Sequence, residues 1–375
     1  MTWFFYLVAA GLGLIWGSFF NVVIYRTPRE EGLGQRSRCP ECGYTIRWYD
    51  NIPLVSFAYL RGRCRNCGRP ISWMYPAVEA STALLFVLCY WWSINVVPGL
   101  LGIEAQKPFV PELIIAILLV SVGVVVAVVD VRHGIVPDRV VFPGMVLMLS
   151  AVLGLAFYRE QPVRIASSLG LAFGSSAFFA AVSIAYGAVR MKGREPLQPS
   201  DYSMALPGED RHTERAPGES VVSVRTAWVM LGIGAVLLAG ALSLAIPLYQ
   251  RDSYGAAVSI AVGLAGGFLL LAAGLLIDAL TAGEDLDDVE EVPTGMGMGD
   301  VKLLFFTGLA LGYFNWALIV VELLVASVLG LVVGLLVMGL NRKEAIPFGP
   351  FLAAGAVVAL FWGQQLIDVV TKLYR

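Results

Sequence analysis

The chain has 375 residues, 58% of them hydrophobic and only 14% charged, with a formal charge of −2 and a mean hydropathy of +0.74. A soluble domain is about 45–50% apolar and about 25% charged, so a soluble enzyme of this length has no way to hide so much apolar side chain. The same figures exclude a disordered chain and a basic nucleic-acid-binding protein.

A helix needs roughly 20 apolar residues to cross a bilayer. The first run, 3–24, lacks a basic leading segment and passes at once into a polar region, so it reads as a span and not as a cleavable signal peptide. Residues 25–75 form that polar region. They carry two matching knuckles, Cys39-Pro-Glu-Cys42-Gly43 and Cys64-Arg-Asn-Cys67-Gly68, with 21 residues between Cys42 and Cys64. Two such knuckles supply four thiolates for a tetrahedral ion, and zinc is the default. Four reduced thiols without metal are the alternative; a redox role or a nucleic-acid-reading ribbon fits less well. Cys89 lies in the next apolar run, 76–97, and reads as packing. That run opens Tyr75-Pro-Ala-Val-Glu79, which places Glu79 one turn into the helix, with an arginine or a helix N-terminus as its expected partner.

Runs 112–130 and 139–158 flank the stretch Asp130-Val-Arg-His-Gly-Ile-Val-Pro-Asp138. Run 164–188 follows, then a Pro-, Ser- and Gly-bearing connector of mixed charge, 189–225, expected to be flexible. Runs 226–248 and 257–280 come next, and then the acidic stretch 284–291. The sequence Gly295-Met-Gly297-Met-Gly299-Asp300-Val-Lys302 leads into run 302–314, which is short for a span and needs a neighbour's help. Runs 316–340 and 349–370 complete the set of ten.

Lysine and arginine set orientation. With 25–75 on the cytoplasmic side, alternation places twenty of these residues in or beside cytoplasmic segments and four in the opposite loops. The N-terminus is then outside. Acids within spans are costly and default to function. Asp278 and Asp368 fall near helix ends, and Glu322 is deep without a sequence-level account. Asp130 and Asp300 both fall at the cytoplasmic edge. At one depth they can form a dyad: one carboxylate activates water while the other, protonated, polarises a carbonyl. The competing reading is two unrelated acids at helix ends.

The ensemble resembles the type IV prepilin peptidase family. The residues that carry the likeness are Gly17-Ser-Phe-Phe-Asn-Val-Val-Ile-Tyr-Arg26, the paired knuckles, Tyr75-Pro-Ala-Val-Glu79, Asp130 with Ile-Val-Pro-Asp138, Gly-Met-Gly-Asp at 297–300, and Ile-Pro-Phe-Gly-Pro at 346–350. The resemblance implies an enzyme of the bacterial inner membrane. Such an enzyme cuts the basic leader from prepilins and pseudopilins at the cytoplasmic face, and in many members then methylates the new N-terminus with S-adenosylmethionine. It implies Asp130 and Asp300 as the catalytic pair. Gly297, Gly299, Lys302, Asp138 and Glu79 are supporting positions, with Asp138 a capping or positioning residue. The resemblance implies no nucleic-acid partner, only prepilin substrates and the bilayer. The family usually passes almost directly from its fifth helix to the G-x-G-D helix, whereas here 189–280 intervenes. Rival readings are a presenilin-like intramembrane aspartyl protease and a non-enzymatic zinc-bearing membrane scaffold.

The expected architecture is therefore an all-α polytopic membrane protein of about ten segments in a bundle. Its parts are a first helix (1–24), a zinc loop (25–75), helices carrying the first aspartate (76–188), an insertion (189–280), and the acidic loop with the G-x-G-D and C-terminal helices (281–375).

Overall fold

A computed structural model describes residues 2–101, 111–192, 221–222, 292–293, 298–339 and 347–373. The long helices are α1 (Thr2–Arg26), α3 (Met74–Asn95), α5 (Leu113–His133), α6 (Asp138–Tyr158), α7 (Val163–Lys192), α8 (Met298–Phe314), α9 (Leu318–Gly339) and α10 (Gly349–Leu373). Two one-turn helices, α2 (Val55–Tyr59) and α4 (Val97–Leu101), lie between them. β1 (Val221–Val222) and β2 (Val292–Pro293) form a two-residue antiparallel pairing. Apart from that pairing the described residues hold only helices, turns and isolated bridges, as expected for an all-α membrane protein. Among the described residues, seven helices are long and apolar enough to cross a bilayer. The expected runs 226–248 and 257–280, most of the 189–225 connector and the acidic stretch 284–291 lie outside the described residues.

α5 shows why such sequences become helices. Its Val- and Ile-rich run would favour a strand in water. In hydrocarbon every backbone N–H needs an internal partner, and a helix satisfies them all within one segment. The helix stops at Gly134, whose φ of +63° is open to glycine at little cost and whose N–H donates to the Asp130 carbonyl at 2.8 Å.

With no hydrophobic drive between helices in lipid, small residues set which helices approach closely. Gly13 and Gly17 bring α1 onto the α3 backbone; a Cβ at Gly17 would lie 2.7 Å from the Glu79 Cα. Gly308 and Gly312 do the same for α8 against Ala172 and Ser168 of α7. α8 is short, 17 residues or about 25 Å. Its side chains Leu303, Leu304, Phe306, Leu309, Leu311 and Tyr313 are fully buried, because α5, α6, α7 and α10 surround it. The short run 302–314 thus gets its help from neighbours. α9 is the opposite case: Val320, Leu324, Val328, Leu331 and Leu335 line an exposed apolar face suited to lipid.

Candidate active site

Asp130 occupies the last turn of α5, and Asp300 the first turn of α8; both are buried. They meet at the first residue of α10. A Cβ on Gly349 would lie 2.5 Å from Asp130 Oδ2 and 3.5 Å from Asp300 Oδ1. The two oxygens are therefore no farther apart than those distances laid end to end, close enough for Asp300 to feel the charge of Asp130. The Gly349 N–H, one of the unpaired donors at a helix start, donates to the Asp130 carboxyl. First turns of two helices, α8 and α10, thus meet at one carboxyl pair, and their positive ends suit a site where negative charge develops.

The supporting residues brace this junction. A Cβ at Gly299 would come within 2.5 Å of the Val136 Cβ, so only glycine lets α8 seat against the turn between α5 and α6. Lys302 Nζ donates to Asp138 Oδ1 at 2.6 Å across the same turn. Asp138 is the first residue of α6, behind Pro137 at the N-cap, and no side-chain cap bond forms there. Its side-chain partner is thus Lys302 of α8. Gly297 lies outside the described residues.

The four cysteines gather as the spacing foretold. Their sulfurs lie within 4.8 Å of one another, with Cys39 Sγ and Cys67 Sγ 4.0 Å apart. Tetrahedral zinc with Zn–S bonds of about 2.3 Å needs sulfurs about 3.8 Å apart, so the donor set fits the ion. Both knuckles fold alike. Gly43 N–H donates to the Cys39 carbonyl and Gly68 N–H to the Cys64 carbonyl, each at 2.9 Å, and both glycines have φ near +70°. Hydrogen bonds from the Tyr44 amide and then the Asn66 side chain lower Cys42 to about 7. The amides of Cys67 and Asn66 lower Cys64. Cys67 is held at about 11; the Arg69 amide lowers it, but desolvation and the three neighbouring sulfurs raise it further. Such a cluster readily sheds some protons and holds others until a cation arrives.

Of the two partners expected for Glu79, an arginine or a helix N-terminus, it finds the second, since Leu54 is the N-cap of α2. It is buried, accepts the Leu54 N–H at 2.8 Å, and is hydrogen-bonded by Ser18. Glu322 now has an account: fully buried on α9, it accepts from Thr307 Oγ1 at 2.8 Å and so ties α8 to α9. Asp368 is an exposed helix-end acid accepting from Gln364, as expected; Asp278 lies outside the described residues. Sequence reasoning missed Gly349 and Val136 as site residues. The signal for the first was a Gly-Pro pair opening an apolar run.

The model of a family described as "Bacterial Peptidase A24 N-terminal domain" matches residues 12–93, from α1 through both knuckles to α3. The chain is 37% identical over 155 residues to a prepilin leader peptidase/N-methyltransferase of Myxococcus xanthus, a match spanning 40% of this chain and 41% of that one. It is 26% identical over 390 residues to the protein of that name from Stutzerimonas stutzeri, covering 96% of this chain and 92% of the other. A Legionella pneumophila protein of that name is 25% identical over 98% of this chain and 94% of its own length. No solved structure matches.

Proposed function

We propose that this chain, which belongs to the prepilin leader peptidase/N-methyltransferase family, is a multi-pass inner-membrane enzyme that removes the basic leader of prepilins and pseudopilins at the cytoplasmic face, with Asp130 and Asp300 as its catalytic pair. The observation that carries the proposal is the convergence of Asp130 and Asp300 on Gly349. Two carboxyls this close hold one proton between them. The ionised member takes a proton from a water molecule, and the protonated member donates to the scissile carbonyl. A C–O bond forms, the C–N bond breaks, and the proton taken from water goes to the leaving amine. The cytoplasmic side follows from the lysine and arginine balance. It also fits the aspartates' place at helix ends, where water reaches them and ionisation costs less than at mid-bilayer.

The same reading gives a second step, methylation of the freed N-terminus. S-adenosylmethionine, when bound, would supply the methyl group, and the freed amine would give up a proton to solvent. Zinc held by Cys39, Cys42, Cys64 and Cys67 has a structural role here. Four thiolates leave no open coordination position for water. Mass analysis of a prepilin co-expressed with the enzyme tests the reading: leader loss with one added methyl mass supports both steps, leader loss alone removes the second, and an uncut prepilin refutes the first.

A further inference from the structure

A groove of about 660 Å³ opens on the cysteine loop where the chain enters α3. Its floor is apolar: Leu54, Phe57 and Ile71, with Pro76 buried in the first turn of α3. Phe57 of α2 meets the Trp73 ring edge-on, with centroids 4.9 Å apart, and Trp73 is 76% exposed. Among the described residues the charged groups of the wall are Arg61 and Arg63, with no acid beside them. Neither arginine pairs with a carboxylate among the described residues. Asp50 of the same loop is taken by Arg65 at 2.6 Å, and Glu79 by the Leu54 N–H.

The backbone fixes where the two arginines stand. α2 ends in a paired cap: the Arg61 N–H donates to the Ala58 carbonyl at 3.1 Å and the Gly62 N–H to the Phe57 carbonyl at 2.9 Å. Arg61 takes a φ of +51° and Gly62 one of +67°, which turns the chain sharply away from α2. Arg63 then bridges antiparallel to Pro70, and the Ile71 N–H donates to the Gly62 carbonyl at 2.7 Å. Cations on a fixed turn lose little freedom when they bind a ligand.

Two arginines over an apolar floor fit a molecule with an anionic head and a hydrocarbon body. Position narrows the choice. Trp73 is the N-cap of α3, which is long and apolar enough to cross the bilayer, so the groove lies where headgroups meet acyl chains. A basic peptide would be repelled by the arginines, and a soluble phosphate would leave the apolar floor in water. We infer that this groove binds an anionic phospholipid of the surrounding membrane, with its phosphate on Arg61 and Arg63 and an acyl chain along Phe57, Ile71 and Trp73. The lipid thereby holds the cysteine loop on the bilayer surface.

The test is titration of the purified full-length protein in detergent with phosphatidylglycerol and with phosphatidylcholine, both carrying brominated chains that quench tryptophan fluorescence on contact. The Trp73 share of the signal is the difference between the parent and Trp73→Phe. Phosphatidylglycerol should quench it at a concentration at least about tenfold lower than phosphatidylcholine, and high salt should shrink that preference. Arg61→Gln with Arg63→Gln should erase the preference, whereas Arg61→Lys with Arg63→Lys should keep most of it. Both arginines are exposed, and zinc content checks that the adjoining knuckle still folds. Equal quenching by the two lipids in the parent overturns the site without any arginine variant. An undiminished preference in the Arg61→Gln, Arg63→Gln protein overturns it as well. Displacement of the lipid by inorganic phosphate at like concentration would make the ligand a soluble anion, and displacement by purified prepilin would make the groove a substrate surface; either result overturns the lipid assignment.

Discussion

The cysteine loop and the aspartate site are built in opposite ways. Each cysteine knuckle is closed by its own short turn, Cys39 to Gly43 and Cys64 to Gly68, with matching hydrogen bonds. The aspartate site has no local skeleton: Asp130, Asp300 and Gly349 come from three helices far apart in the chain and meet only because α5, α8 and α10 pack together. A local site tolerates disturbance elsewhere in the bundle, whereas an assembled one depends on every contact that sets its helix ends.

The sharpest way to break the comparison is at the two aspartates. Asp130→Asn and Asp300→Asn should each lower leader cleavage by more than about 10³-fold while the protein still inserts, because an amide cannot carry the proton. Near-normal cleavage by either variant in a purified assay would end the dyad assignment. Gly349→Ala comes next. Its new methyl group would press on the Asp130 carboxyl, and a displacement of that order costs about 10- to 100-fold in rate. Zinc content should be unaffected, since the loop is built separately; parallel rate and metal measurements read both.

Cys39→Ser makes the reverse change. Metal analysis should fall from about one zinc per chain to near none, with thermal stability of the loop lost before cleavage is. Equal zinc in variant and parent would refute the four-thiolate site. Lys302→Met should cost only a few-fold in cleavage, because its partly exposed pair with Asp138 is worth about 0.2–1 kcal/mol. The smallest effect belongs to the acidic stretch. Amides at Asp287, Asp288, Glu290 and Glu291 should slow capture of a basic-leader substrate at low salt and leave it unchanged at high salt, where screening already removes the attraction. Unchanged kinetics at low ionic strength would reject steering by this stretch.

The two regions also differ in how far they were legible beforehand. Thiolates at knuckle spacing name their partners, so all four cysteines were assigned from the chain alone. For Asp130 and Asp300 the chain offered two acids at one depth, open to reading as a dyad or as unrelated helix-end acids, and the resemblance favoured the pair. Nothing in the spacing of residues 130, 300 and 349 says that they touch. For Glu79 the chain left an arginine and a helix N-terminus open as partners, and only the fold shows that it accepts the amide of Leu54, the N-cap of α2. Glu322 had no explanation until Thr307 appeared opposite it.

Sequence by itself determined the membrane class, the described long helices to within a few residues, and the cysteine cluster. Each depends on composition or spacing over a short stretch: apolar length forces a helix in lipid, and a knuckle closes on itself. Tertiary structure alone decided that α8 runs through the middle of the bundle, that Gly299 seats on Val136, that Gly349 joins the aspartates, and that a groove opens between the cysteine loop and α3. These depend on which helices become neighbours, and in a bilayer that choice is made by close packing at small residues, a property of pairs of surfaces that no single stretch of chain contains.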